Sequence, residues 1–501
     1  MDPRPNIIFI LSDQQRQDSL SCYHKAPAER FKLTPELDRL AASGSRFNQQ
    51  ISVQPVCGPA RACIQTGRYP SEVGAQINEM GLDPELASLA KYLSTAGYET
   101  AYVGKWHLAS YQAARVPEKR AIFAAHGLGD CIDEAGETTI QALPPELLAE
   151  LERAGIAPYA RDYRMRAIPE AYRGGYRDFW IASDILEFTS HGEGGSMFDA
   201  QMEERVFDDY RVDATMDFAL EFLRQPHERP FFLFVSFIEP HHQNDRGRVE
   251  APDGMAEFYR DYDLPGDLVG RAGDYESELP AYLACCARID ENVGRLCRTL
   301  EDLELMEQSL IFYSSDHACH FRTRNGEYKR SAHDNSTLVP LVIHGPGFEG
   351  GHVIDELSAL IDFLPTILLA AGLEVPTDLP GKALQNLVQG QCNHEGLLIQ
   401  ISEEGIGRAW RSLNSLYGIE AIFGESDRRV GTYGGDWQGN ALASAHWQRY
   451  REAYYYDLKQ DPDQLTNLIN HPEYVDRIAE ARQALRAKIL EIEGIEVEIE
   501  V

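Results

Sequence analysis

Three short stretches of the chain carry residue types that could do chemistry together. Asp13-Gln14 follows the apolar run Asn6–Leu11, and Asp316-His317 follows the run Ser309–Ser314. Each pair sets a carboxylate beside a neutral second donor. Together they offer oxygen ligands and one imidazole, a set suited to a divalent cation such as Ca²⁺, Mg²⁺ or Mn²⁺. A lone Asp after a strand reads more readily as a helix N-cap; two such pairs after neighbouring predicted strands favour a metal. The third stretch is Pro55–Pro70, PVCGPARACIQTGRYP, with the pattern C-x-P-x-R-x(4)-T-G-R from Cys57 to Arg68. Arg61 follows Cys57 by four residues, so a helix there puts both on one face.

These residues need a frame. Short runs rich in β-branched and aromatic residues predict buried strands at Asn6–Leu11, Glu99–Val103, Phe231–Ile238, Ser309–Ser314 and Leu338–His344. Each run is continuous rather than alternating, as a parallel sheet covered on both faces requires. Helices are predicted at Thr34–Ser43, with Thr34 as N-cap, and at Pro84–Ala96, closed by Gly97. Glu204–Arg224, Tyr275–Leu303 and Leu364–Ala371 also read as helices. The alternation indicates an α/β sandwich. Residues 108–199 break the rhythm and read as an insertion of short helices over one end of the sheet. The expected division is a catalytic α/β domain over residues 1–390 and a smaller C-terminal α+β domain over 391–501. Short strands there are expected at Gly396–Ser402, Ser415–Phe423 and Ala453–Asp457, with a helix at Pro472–Glu493. Ligands of open α/β sheets sit at the carboxyl ends of strands. Asp13-Gln14, Lys105-Trp106-His107 and Asp316-His317 all fall at such ends.

The chain has 501 residues and a formal net charge of −32. Charge of that sign argues against nucleic acid and anionic membranes as partners. An anionic substrate then needs a strongly positive local site. The first apolar run spans five residues, too short for a signal-peptide core or a membrane span. Nine scattered cysteines without a CxxC suggest neither a disulfide framework nor a zinc knuckle. The expectation is a cytoplasmic, reduced protein. Cys285-Cys286 lies in an amphipathic helical pattern and reads as packing.

The Cys57–Arg68 pattern resembles the signature of the type I sulfatases, members of the alkaline-phosphatase-like superfamily. That resemblance implies an alkaline-phosphatase-like α/β/α sandwich with a large mixed sheet, and a short antiparallel sheet in the C-terminal domain. It also implies that Cys57 is oxidised to formylglycine by a formylglycine-generating enzyme. The hydrated aldehyde is then the nucleophile, and its second hydroxyl expels the sulfate by hemiacetal collapse. Arg61 holds the diol, and Asp13, Gln14, Asp316, His317 and residue 57 hold the metal. Gly104-Lys105-Trp106-His107 is similar to the family's G-K-W-H element, so Lys105 contacts the sulfate and His107 takes the hemiacetal proton. Pro240-His241 resembles the family's P-H, making His241 a sulfate contact and general acid, while His242 faces either the organic group or the surface. Lys329 matches the second lysine on the sulfate. The closing Tyr456-Asp457-Leu458, Asp461-Pro462 and Asn467-Leu468 also match.

Gln14, His317 and the His333-Asp334 pair depart from common family residues. Gln14 and His317 occur in related phosphonate monoester hydrolases and in some sulfatases, which leaves Ca²⁺ first but Mn²⁺ or Mg²⁺ open. The expected activity is hydrolysis of sulfate monoesters, on a sulfated carbohydrate or another small organic sulfate. The alternative is a phosphonate monoester or phosphodiester hydrolase on the same scaffold. Further outsiders are a silent sulfated-glycan binder and a thiol hydrolase using Cys57 and His107. Arg322, Arg324 and His333 are candidate substrate contacts beside His242. Tyr172, Tyr176, Phe179, Trp180 and Arg408–Arg411 read either as a lid or sugar platform, or as core. A homo-oligomer is open.

Overall fold

Four of the five apolar runs lie side by side as parallel strands in the centre of one sheet. The computed structural model describes residues 4–24, 33–423 and 447–501. Its strands in chain order are β1 Asn6–Ser12, β2 Ser45–Ile51, β3 Glu99–Lys105, β4 Phe179–Ser183, β5 Glu193–Asp199, β6 Glu204–Tyr210, β7 Phe231–Ser236, β8 Ser309–Ser315, β9 Leu338–Val339, β10 Leu341–His344 and β11 His352–Ala359. They form one mixed sheet in the order β11-β2-β10-β8-β1-β7-β3-β4-β5-β6, with β9 paired to β2. β8, β1, β7, β3 and β4 are mutually parallel. Along β1, Ile7, Phe9 and Leu11 face one core and Ile8 and Ile10 the other. Helices Cys57–Thr66, Leu89–Thr95 and Phe363–Ala370 cover the first face. Helices Pro35–Ser43, Arg211–Leu223 and Tyr275–Asp302 cover the second. Burial on both faces is why β1 is apolar from Ile7 to Leu11, and each such side chain contributes roughly 1.5–3 kcal/mol.

A second sheet has the order β12-β13-β14-β15-β16, from Gly396–Ile401, Gly407–Ser412, Ser415–Ala421, Arg449–Asp457 and Glu498–Glu500. It is antiparallel except for β16, which runs parallel to β15. Helix Val475–Glu493 packs on it through Leu485 and Ile489, in an apolar cluster continuous with the large sheet. None of the described helices is long and apolar enough to cross a membrane.

The structure corrects several elements. Glu204–Arg224 is not one helix: Glu204–Tyr210 is the edge strand β6, and the helix begins at Arg211. Its exposed acidic residues suit an edge that must not pair with another chain. The insertion holds helices Val116–Ala125 and Pro145–Ala154, but also supplies β4 and β5 to the large sheet. Leu338–His344 is split at Pro340, and β10 runs antiparallel to β8. The helix expected from Pro84 starts only at Leu89, because Ser88 is extended and donates its hydroxyl to Gly174 O at 2.5 Å. β2, β11 and β13 are strands the sequence reading left out.

The N-cap is corrected too. Thr34 makes no side-chain cap; its Oγ1 accepts from Ser21 N at 2.8 Å. The free amides of Glu36 and Leu37 instead donate to the carboxylate of Asp290, at 3.1 and 2.8 Å, from helix Tyr275–Asp302. Burial pushes the Asp290 carboxyl up to about 7, against the two amides that favour its charge. The fold therefore binds a proton here that the unfolded chain releases. Stability from this group is full below the ordinary carboxylate range and is lost as pH rises through 7. Asp290→Asn keeps an acceptor and removes the titration. Between pH 5 and 8 the variant's Tm is expected to gain about 2 °C or more on wild type. Parallel Tm–pH curves would refute this.

Candidate active site

The register of the central strands builds the site. Ser12 of β1 lies opposite Ser315 of β8, so the next residues, Asp13 and Asp316, emerge side by side at the carboxyl edge. Gln14 follows with a left-handed φ of 71°, and its N–H donates to Asp316 Oδ1 at 3.1 Å. Two strands away, Gly104 of β3 pairs with Ser236 of β7. Gly104 has φ +107°, and a Cβ there would meet Ser236 O at 1.9 Å. Only glycine lets β3 close against β7 and deliver Lys105 to the edge. Lys105 Nζ reaches Asp13 Oδ2 at 2.7 Å.

Helix Cys57–Thr66 enters from the covered face with Cys57 at its first position. A helix N-terminus favours negative charge there. Arg61, one turn on, bridges both carboxylates: Nη2 to Asp13 at 3.0 Å and Nε to Asp316 at 3.1 Å. Its Nη1 donates to Lys105 O and to Ser236 Oγ at 2.8 and 2.7 Å. Cys57 Sγ lies 3.4 Å from Asp13 Oδ1 and 3.1 Å from His317 Nε2, and Lys329 Nζ donates to it at 2.8 Å. The same ammonium is 3.1 Å from His241 Nε2. Thus Asp13, Gln14, Cys57, Arg61, Lys105, His241, Asp316, His317 and Lys329 meet in one buried cluster. His107, also left-handed at φ 62°, lines the adjoining cavity together with Cys57.

The electrostatics follow from this packing. Burial and the Cys57 charge raise the Asp13 carboxyl, but Lys105, His241 and Arg61 outweigh them and hold it well below the usual carboxylate range. Asp316 is pushed up to about 6 by burial and by Asp13 beside it. Burial also raises the Cys57 thiol, yet Lys105, Lys329 and His317 pull it well below the ordinary thiol range. His241 is held down by burial and by Lys329, so it is neutral at Lys329.

The donor set fits a divalent cation. Ligand atoms of Asp13, Cys57, Asp316 and His317 all lie within 4.8 Å of one another, and all four residues are buried. Gln14 Oε1 is buried beside them without a hydrogen-bond partner. Its Nε2 is engaged by His242 Nδ1 at 2.9 Å, which leaves the amide oxygen for a metal. Burial and His241 push the His242 imidazole down to about 3, so it stays a neutral acceptor.

The four candidate substrate contacts lie off this cavity. His242 is buried and stacked on Tyr328, with centroids 4.5 Å apart. Arg322 pairs with Asp274 at 3.0 Å on the surface. Arg324 donates to the carbonyls of Asp463 and Gln464, both at 2.9 Å. His333 is buried between Ser331 and Tyr456 hydroxyls, at 2.6 and 3.2 Å. None of the four lines the cavity. Tyr176 and Trp180 are core around Tyr102 and Trp106, and Arg408 and Arg411 pair with Glu493 and Asp334. The sequence reading missed Ser236, which a strand-end rule could have flagged. It also missed Glu187, whose carboxylate lies 3.5 Å from His241 Nδ1; no local signal marks it.

Comparison with known proteins places this geometry. The sulfatase family model matches residues 5–373. An N-acetylglucosamine-6-O-sulfatase of Bacteroides thetaiotaomicron is 26% identical, covering 96% of this chain and 86% of its own. An arylsulfatase of Clostridium perfringens is 27% identical over 98% and 95%. The solved phosphonate monoester hydrolase of Agrobacterium radiobacter shares the fold, with a TM-score of 0.62 and 19% identity over 97% and 96%.

Proposed function

The chain belongs to the sulfatase family, with the alkaline-phosphatase-like fold, and is a sulfuric ester hydrolase; from that premise we propose that it hydrolyses sulfate monoesters through a formylglycine at position 57 and one divalent metal. The observation that carries the reading is the meeting of Cys57 Sγ with Lys329 and His317, above two carboxylates bridged by Arg61. Asp13, Gln14, Asp316, His317 and residue 57 would hold the cation. When bound, cation and hydrated aldehyde would supply a more acidic, more nucleophilic oxygen than a serine hydroxyl.

The chain's own residues do the rest. Lys105 and Lys329 sit where three sulfate oxygens must be neutralised, and being buried they act in a low dielectric. Arg61 locks both carboxylates and, through Ser236, ties them to β7. His107 accepts its proton beside residue 57. The charge of a bound sulfate favours protonation of His241, which then binds the ester oxygen and protonates the leaving alcohol, with Glu187 behind it. These cations also answer the repulsion expected from a net charge of −32. The reading includes Ca²⁺ as the first metal, ahead of Mn²⁺ and Mg²⁺. The shared fold with a phosphonate hydrolase leaves one rival chemistry.

The test is paired turnover of an aryl sulfate and the matching aryl phosphonate. The protein is co-expressed with a formylglycine-generating enzyme, with Cys57→Ala as blank. A sulfate preference of roughly 10²-fold or more, lost on chelation, is expected. A phosphonate preference, or turnover that survives a chelator, would overturn the proposal.

A further inference from the structure

The nucleophilic cluster opens into a cavity of about 750 Å³ whose floor is Cys57, Lys105, His107, His241 and Lys329. That volume suits a whole small organic molecule. Away from the floor its walls are largely apolar. Met80, Tyr111, Leu148, Ile156, Tyr159 and Phe188 line it, five of them from the insertion. Tyr111 and Tyr159 pack ring to ring with centroids 4.8 Å apart. Leu148, Tyr159 and Phe188 are 38%, 59% and 41% exposed, so three large apolar side chains stand in water around one opening. Such a cluster marks a binding surface.

Several polar groups of the same walls are engaged within the protein. Arg164 is paired with Glu79 and Asp162 at 3.1 and 2.8 Å. Arg330 is paired with Glu327 and Glu403 at 2.9 and 3.0 Å. Asn244 accepts from Tyr328 Oη at 2.7 Å and donates to Glu187 at 3.0 Å. Gln112 Oε1 accepts from Ala157 N at 2.7 Å. A sugar would have to displace these bonds to use those groups. A second sulfate or a carboxylate would meet Glu79, Glu152 and Glu187, which also line the cavity.

We infer that the substrate is the sulfate monoester of an uncharged, apolar, ring-bearing alcohol, whose ring fills the cavity formed by the insertion and Met80. The inference rests on the sulfatase reading and narrows it. Hydrolysis adds one water across the S–O bond and releases the alcohol, which takes a proton, and sulfate. The released alcohol leaves past Leu148, Tyr159 and Phe188.

The test compares two primary-alkyl sulfates on six-membered rings, so that leaving-group reactivity is nearly matched: cyclohexylmethyl sulfate and D-glucosamine 6-sulfate. Metal-loaded protein is used after intact mass shows conversion of Cys57. The expected kcat/KM ratio favours cyclohexylmethyl sulfate by at least about tenfold, the scale of a few apolar contacts in a pocket. Leu148→Asp and Phe188→Asp, both at exposed positions, are each expected to lower that ratio about tenfold through KM. A ratio below tenfold, or one that neither variant changes, overturns the inference and leaves the sulfatase reading standing. No turnover of either ester or of an aryl sulfate by the converted protein overturns both.

Discussion

Cys57→Ala is expected to lower kcat/KM for an aryl sulfate by roughly 10⁴-fold or more, with little change in Tm. Sγ is the atom on which the site converges: His317, Lys329 and Asp13 all reach it. Removing it deletes the proposed nucleophile but leaves the surrounding cations and carboxylates in place. The alanine also fits the first turn of helix Cys57–Thr66, which contributes Cys57 as a buried, small side chain. Activity is read with an aryl sulfate and stability by thermal melting. Retention of more than a hundredth of the wild-type rate would show that the nucleophile lies elsewhere.

Arg61→Met is expected to act on both stability and rate. The guanidinium is the bridge between two fully buried carboxylates and is itself buried. Without it, Asp13 and Asp316 face each other with Lys105 as the remaining close cation of that pair. Breaking a buried pair typically costs about 3–5 kcal/mol, because the stranded charge stays desolvated. The Tm should fall accordingly, and kcat/KM by roughly 10²–10³-fold as Asp13, Asp316 and Ser236 lose their common anchor. A divalent cation would compensate part of the stranded charge. The Tm deficit relative to wild type should therefore be larger in chelator than in Ca²⁺. An equal deficit in both would mean that Arg61 and the metal do not share the carboxylates.

Much of the site was legible because its signals are local. Asp13 and Asp316 follow strands whose apolar runs are unmistakable, and the spacing from Cys57 to Arg61 is one helical turn. Lys105, His241 and Lys329 were placed by resemblance, and the fold brings Lys105 to Asp13, Lys329 to Cys57 and His241 to Lys329. Pairing in space was not legible in the same way. β6 reads as part of a helix because its charged residues suit either structure; being at a sheet edge is what makes it a strand. β2 is flanked by β10 and β11, elements nearly three hundred residues away in sequence, and its polar SRFNQQI carries no run of its own.

The sequence by itself determined the central strands, the chemistry at their ends and the family. These depend on short-range patterns: apolar runs for burial on two faces, a fixed spacing on one helix, and donors just beyond a strand. Only the tertiary structure decided which polar residues are free for a ligand. Arg322, Arg324 and His333 had the right types in the right loop, but each is turned to a partner outside the cavity. The cavity wall comes instead from Leu148, Ile156 and Tyr159, in an insertion without a recognisable motif. Whether an arginine binds substrate or another part of the chain depends on which carboxylate or carbonyl is nearest in space. Neighbours of that kind, a hundred or more residues apart in sequence, are set by packing.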